Sequence, residues 1–265
     1  MQAAIRSFSQ ICLLVVITIV LVLSAQSATF SNASLHGSYA FLGNRWTADV
    51  NEPQGGMIGV MTFDGVGNFT ESYTGMVNGL PTSGTFTGTY TVNPNGTGML
   101  TYSTGWQWVF VVNSLSGKIA HGIQLVPITD MPPNEVGAST ALLQSSTAKT
   151  YTVANLKGNF SFQSTEWTAD PSQPIYAGNG LFAFDGKGNV KGSSSYMESG
   201  GTVQTETFTG TYTVNSDGIG TISLSTGTQY AFVLNTATAA LANGLQIVQT
   251  NTTGNLAIGG IAQKQ

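Results

Sequence analysis

Only two histidines and one cysteine occur in the 265 residues, so acid–base, thiolate and metal chemistry have few carriers. His36 and His121 come with neither a Gly-x-Ser-x-Gly elbow nor a His-Glu-x-x-His pair, the patterns that would supply a nucleophile or a zinc ion. Cys12 lies inside an apolar N-terminal run, and a chain that loses this run has no thiol left. No catalytic residue, metal site or cofactor is therefore assigned. Carboxylates beside aromatic rings are the remaining route to a site. Asp49 follows Trp46, and Asp170 follows Trp167, in the same Trp-Thr-Ala-Asp string. At a strand end each pair would set a polar anchor against an aromatic wall, as small-molecule sites do. The alternative is that each aspartate caps the loop before Pro53 or Pro171. Trp106 and Trp108, two residues apart, share one strand face and would line a cavity, or else fill a core. Asp64 and Asp185 stand in Asp-Gly-x-Gly-Asn turns with one carboxylate each, which suits a hairpin better than a calcium cage.

These residues recur because the chain is a tandem duplication. Thr85–Asn93 and Thr207–Asn215 are identical at all nine positions. Leu35-x-Gly37 matches Leu156-x-Gly158, Phe63-Asp64-Gly65-x-Gly67-Asn68 matches Phe184-Asp185-Gly186-x-Gly188-Asn189, and Gly122–Val126 matches Gly244–Val248. A period of about 120 residues exceeds solenoid repeats and equals a small domain. Some positions differ between the copies. His36 is matched by Lys157 and His121 by Asn243, so the histidines have no shared role. Trp106 and Trp108 become Thr228 and Tyr230, and Arg45 becomes Glu166, a swap that reads as a solvated pair or a contact between copies.

The repeated block alternates Phe86, Gly88, Tyr90 and Val92 with threonines, a strict period of two in strand-favouring residues. Aromatic residues face inward and threonines outward. Reading the same alternation along each copy gives eight strands, near 37–46, 55–64, 67–77, 83–93, 97–103, 105–113, 117–127 and 137–144, and again from 158 to 264. The expected architecture is all-β: two tandem domains, each an eight-stranded antiparallel up-and-down barrel, because closure removes the edges on which sheets aggregate. A β-sandwich is the alternative. The threonine outer face is wrong for a membrane barrel. The boundaries follow as a signal peptide over 1–28, a first barrel over 29–147 and a second over 148–265, joined by the polar run 145–150.

The leader is read from Arg6, the apolar run Ile11–Leu23 and the small residues Ala25–Ala28, a pattern that ends in cleavage and a secreted or periplasmic product. Ile11–Leu23 is short for a bilayer of ~30 Å. Net charge is −4, and only 8% of residues are charged, with no basic cluster, so nucleic acid is excluded as a partner. No membrane span is expected after processing, and nothing fixes an oligomeric state.

The order Leu-x-Gly, Phe-Asp-Gly-x-Gly-Asn, Thr-Gly-Thr-Tyr-Thr-Val-Asn and a final strand ending in Gln resembles an uncharacterised class of secreted bacterial repeat proteins. The small barrel it implies is similar to the calycin and allene oxide cyclase type. The shared residues are turn and core positions, so the resemblance implies shape and transfers no site. The expected function is non-enzymatic: binding of a small apolar or amphipathic ligand, or a surface interaction module, with Trp46, Asp49, Trp106, Trp108, Trp167, Asp170 and Tyr230 as the candidate binding residues. An envelope or matrix structural role and a barrel isomerase or hydrolase are the alternatives. An open interior would favour the ligand, a packed one the structural role.

Overall fold

Alternation of period two closes each copy on itself. The computed structural model describes residues 29–47, 55–77, 79–129, 135–145, 147, 149–167, 176–198, 201–235, 241–251 and 257–265; the leader 1–28, Asp49 and Asp170 lie outside them. In the first barrel β1 (His36–Thr47), β2 (Gly55–Asp64), β3 (Asn68–Val77), β4 (Leu80–Val92), β5 (Thr97–Tyr102) and β6 (Gln107–Val112) pair in sequence. After a short hairpin, β7 (Leu115–Ser116) and β8 (Ile119–Ala120), strands β9 (Gly122–Pro127) and β10 (Glu135–Ser145) return to β1 and close the ring. The second barrel closes likewise through β11 (Lys157–Trp167), β12 (Tyr176–Asp185), β13 (Asn189–Glu198), β14 (Val203–Val214), β15 (Ile219–Leu224), β16 (Gln229–Asn235), β17 (Gly244–Gln249) and β18 (Ala257–Lys264). Closure on both sides of every copy sets the sandwich aside. The expected strand over 117–127 divides in two. Gly117 turns the hairpin at positive φ, and Ile119 and Ala120 pack against the barrel core instead of extending its wall. The linker expected over 145–150 begins inside β10, which runs through Ser145.

The same end of each barrel is stoppered. A 3-10 turn at Asn32–Ser34 crosses the base of the first, where the Tyr90 hydroxyl donates to the carbonyls of Leu35 (2.9 Å) and Asn32 (3.0 Å) and Tyr39 donates to Ala120 (3.0 Å). A second turn at Val153–Asn155 does the same below the other barrel, with Tyr212 donating to Leu156 (2.8 Å) and Val153 (3.1 Å). The hairpins at this end carry the paired aspartates. Asp64 Oδ1 accepts the amides of Val66, Gly67 and Asn68, and Oδ2 accepts the Asn68 side chain at 2.6 Å, so turn donors occupy both oxygens. Desolvation opposes ionisation of Asp64, yet these bonds hold its carboxyl well below the usual range; the Asn189 bonds lower Asp185 to about 2.

The two barrels meet along an apolar seam. Ala40, Ile58 and Val60 on the outer wall of the first are buried with Ala231, Val233 and Val248 on the outer wall of the second. Gln246 Nε2 crosses to the Thr140 carbonyl at 3.2 Å, and Gln144 Nε2 reaches the Asp217 carbonyl at 3.0 Å. The contact is head to tail: it joins β1–β2 of one copy to β16–β17 of the other. The counterparts of Val233 and Val248 in the first barrel are Val111 and Val126, which are 43% and 46% exposed, while Ala40 and Ile58 are matched by Ser161 and Asn179.

Candidate functional site

Above its stopper the first barrel is hollow. A cavity of about 270 Å³ extends toward the end carrying the β1–β2, β3–β4, β5–β6 and β9–β10 connections. Its walls follow from the inward phase of each strand. β2 contributes Met57 and Met61, β3 contributes Glu71 and Tyr73, and β4 contributes Phe86; Tyr102 closes β5, and Trp106 and Trp108 bracket the start of β6. Gly59, on the inward phase of β2, gives its place to the Phe41 ring. A side chain at Gly59 would collide with the Ser72 carbonyl and the Phe41 ring.

The rings form one connected surface. Tyr73 and Phe86 stack at 5.3 Å and 6°, Phe86 meets Tyr102 edge-on at 5.6 Å and Trp106 at 5.4 Å, and Tyr102 lies 6.5 Å from Trp108. Trp106 is 39% exposed and forms part of the opening, whereas Trp108 is half-buried and also packs on the core. Trp106 and Trp108, two of the three candidate tryptophans of this barrel, thus line one cavity.

Within this surface stands a carboxylic acid. Glu71 is buried among Met61, Phe86 and Tyr102, and the Tyr102 hydroxyl donates to its Oε2 at 2.6 Å. Burial pushes the Glu71 carboxyl up to about 7, with the Tyr102 hydrogen bond pulling partly back. The Tyr102 phenol is raised strongly by its own burial and by the charge of Glu71. Neither residue was singled out from the sequence, but a signal was present. Glu71 falls between Phe69 and Tyr73 on the inward phase of β3, where charge is unexpected, and its match in the second copy is Gly192. Tyr102 is matched by Leu224.

The second barrel spends the same space differently. The Phe208 ring lies over Gly192, so near that an added Cβ would come within 2.7 Å of it, and Phe182 stacks on Phe162 at 4.2 Å. Its inward acids stand elsewhere: Glu206, bonded by Ser194 at 3.0 Å, and Glu166, which is 3% exposed. Tyr230, half-buried, sits 6.4 Å from Phe182, with its phenol raised to about 12 by burial and then by Glu206. Glu166 and Arg45 correct the expectation of a surface charge swap. Both follow the inward phase of their strands, Arg45 lining the first cavity and Glu166 buried in the second barrel. Trp46 and Trp167 take their backbone places opposite Val136 and Ala257 at the ends of β1 and β11, and their side chains are outside the described part. No group of three or more metal-ligating side chains occurs among the described residues, and none of their helices is long and apolar enough to cross a membrane.

Fold and cavity together define a tandem β-barrel protein whose first barrel is a cup with an aromatic lining and a buried acid. No protein-family model and no curated protein matches the chain. Among solved structures it is similar to a DUF3598-family protein of unknown function from Nostoc punctiforme, at 12% identity and a TM-score of 0.28 over 88% of this chain and 98% of that one. It is also similar to kievitone hydratase from Nectria haematococca, at 6% identity and a TM-score of 0.27 over 89% and 91%, and to CghA, at 6% and 0.26 over 89% and 93%. Likeness at this level carries no argument about chemistry.

Proposed function

We propose that the first barrel binds a small, largely apolar ligand in its cup and that the second is its structural companion, in a protein acting outside the cytoplasm. The observation that carries this reading is the cavity itself: about 270 Å³ lined by Tyr73, Phe86, Tyr102, Trp106 and Trp108. An aromatic surface of this extent kept open inside a barrel forgoes the contacts that packing would supply, and small-molecule sites are concave, apolar and marked by few polar groups. At ~30 Å³ per water the space equals about nine waters, the bulk of a one- or two-ring molecule. The sequence-derived leader supports export, and N-terminal sequencing of the protein recovered from its own host tests it: a mature terminus between Ala25 and Thr29 is expected.

Titration with a naphthalene-sized probe tests the binding. Saturable quenching of tryptophan fluorescence is expected, and Trp108→Ala should weaken binding by about 1 kcal/mol or more, roughly fivefold, the scale of a lost aromatic contact. A Trp108→Ala protein that melts far lower, together with a wild type showing no saturable quenching, would make Trp108 a core residue and leave a structural role in place of the ligand.

A further inference from the structure

The cup holds an acid that an apolar ligand alone would leave poorly served. An ionised carboxylate accepts up to about four hydrogen bonds, and among the described residues Glu71 takes one, at Oε2 from Tyr102, with its cross-strand neighbours Met61 and Phe86 able to offer none. A hydrocarbon entering the cavity would expel water from the remaining acceptor sites and leave a buried charge short of partners. A ligand carboxylate would meet the like charge of Glu71, and a ligand cation would share the cavity with the Arg45 guanidinium. A neutral hydroxyl satisfies every neighbour: it donates to the carboxylate in a charge-assisted bond while its carbon frame lies on the rings.

We propose, resting on the ligand-binding reading above, that the ligand is a small neutral alcohol of the phenol or ring-alcohol class, and that its hydroxyl donates to Glu71 beside Tyr102 within the aromatic cup. Glu71 and Tyr102 then set specificity, and Trp106 and Trp108 supply the apolar grip. The copy comparison agrees. In the second barrel Gly192 and Leu224 replace the acid and its tyrosine together, and the Phe208 ring covers the place. The acid and the space around it belong to the same barrel.

Four probes of one size decide it: naphthalene, 2-naphthol, 2-naphthoate and 2-naphthylmethylammonium, titrated calorimetrically into the purified protein at pH 8 and pH 5. At pH 8, 2-naphthol should bind at least threefold more tightly than each of the others. Its advantage over naphthalene should shrink at pH 5, where Glu71 is protonated and the bond loses its charge. Glu71→Leu should abolish the advantage. Glu71→Gln, which keeps shape and a neutral acceptor, should make it independent of pH; this variant and the wild-type pH series remain decisive if the leucine variant does not fold. An advantage below threefold at pH 8, or a wild-type advantage that does not shrink at pH 5, overturns the hydroxyl anchor and leaves a plain apolar cup. Tighter binding of the ammonium or the carboxylate assigns the cup to a charged ligand instead. If none of the four binds saturably, the ligand-binding reading fails with it.

Discussion

At the scale of the residue, the tension in this protein sits at Glu71. Its proton is favoured in the folded state because burial penalises the charge, and the carboxyl moves from 4.5 to about 7. Between those values the folded protein holds a proton that the unfolded chain releases, so the stabilising contribution is complete below about pH 4.5 and is lost as the pH rises through 7. The shift corresponds to on the order of 3 kcal/mol. Denaturant melts from pH 5 to pH 8 should show stability falling across this window, and Glu71→Gln should flatten that fall; an unchanged slope in the variant would place the acid in water. Asp64 and Asp185 act in the opposite sense in a different window. Their carboxyls are held down by turn amides and by Asn68 and Asn189, so their contribution is present above the unfolded value of 3.8 and is lost only as the pH falls below it. Asp185→Asn should lower stability at neutral pH, make the further loss below pH 4 shallower, and leave the slope between pH 5 and pH 8 unchanged.

At the scale of the element, inward glycines let rings and neighbouring strands close in. Gly88 stands in the aromatic ladder of β4, where an added methyl would strike the Thr101 carbonyl and the Phe69 ring, and Gly210 repeats the place in β14 against the Ser223 carbonyl. Gly88→Ala should therefore cost about 1–3 kcal/mol through overpacking, read as a shift of the denaturation midpoint at unchanged slope; a neutral substitution would show that the wall yields there. These glycines were legible in the sequence because the alternation of Phe86, Gly88 and Tyr90 recurs at Phe208, Gly210 and Tyr212, and so were the strand turns, where Asp and Gly recur in both copies. What the alternation could not show was how full each barrel is. Interior volume depends on residues brought together from several strands, such as Met61, Glu71, Phe86 and Tyr102, and no local pattern relates β2 to β5. The hairpin β7–β8 escaped for a similar reason: Leu115 fell in the gap between two expected strands and Ile119 at the start of the second, and only the core beneath the barrel makes them a plug. Glu71 itself was within reach of the phase argument, as an acid on an aromatic face with glycine for a twin.

At the scale of the molecule, duplication created two copies of a wall and buried only one of them. Val233 is fully buried in the seam, against Ala40, Ile58 and Val60, while its counterpart Val111 is 43% exposed on the first barrel. The two valines occupy the same position on equivalent strands, β16 and β6, so differences in strand propensity cancel between them. An aspartate at the seam would be desolvated beside apolar side chains, whereas at Val111 it would enter water. Val233→Asp should cost about 3 kcal/mol or more, the range of a buried unpaired charge, and Val111→Asp should stay within about 0.5 kcal/mol, as exposed substitutions do. Chemical denaturation of the whole chain measures both. The separated halves, 29–147 and 148–265, give the complementary result. Each holds a complete ring of strand pairs, so each should melt cooperatively alone, at a lower temperature than the joined protein because the seam is opened. Halves that fold only when mixed would move the unit of folding from the barrel to the pair. A Val111→Asp cost as large as that of Val233→Asp would mean that the outer wall of the first barrel is covered in solution, and the head-to-tail contact would then be one link of a longer series.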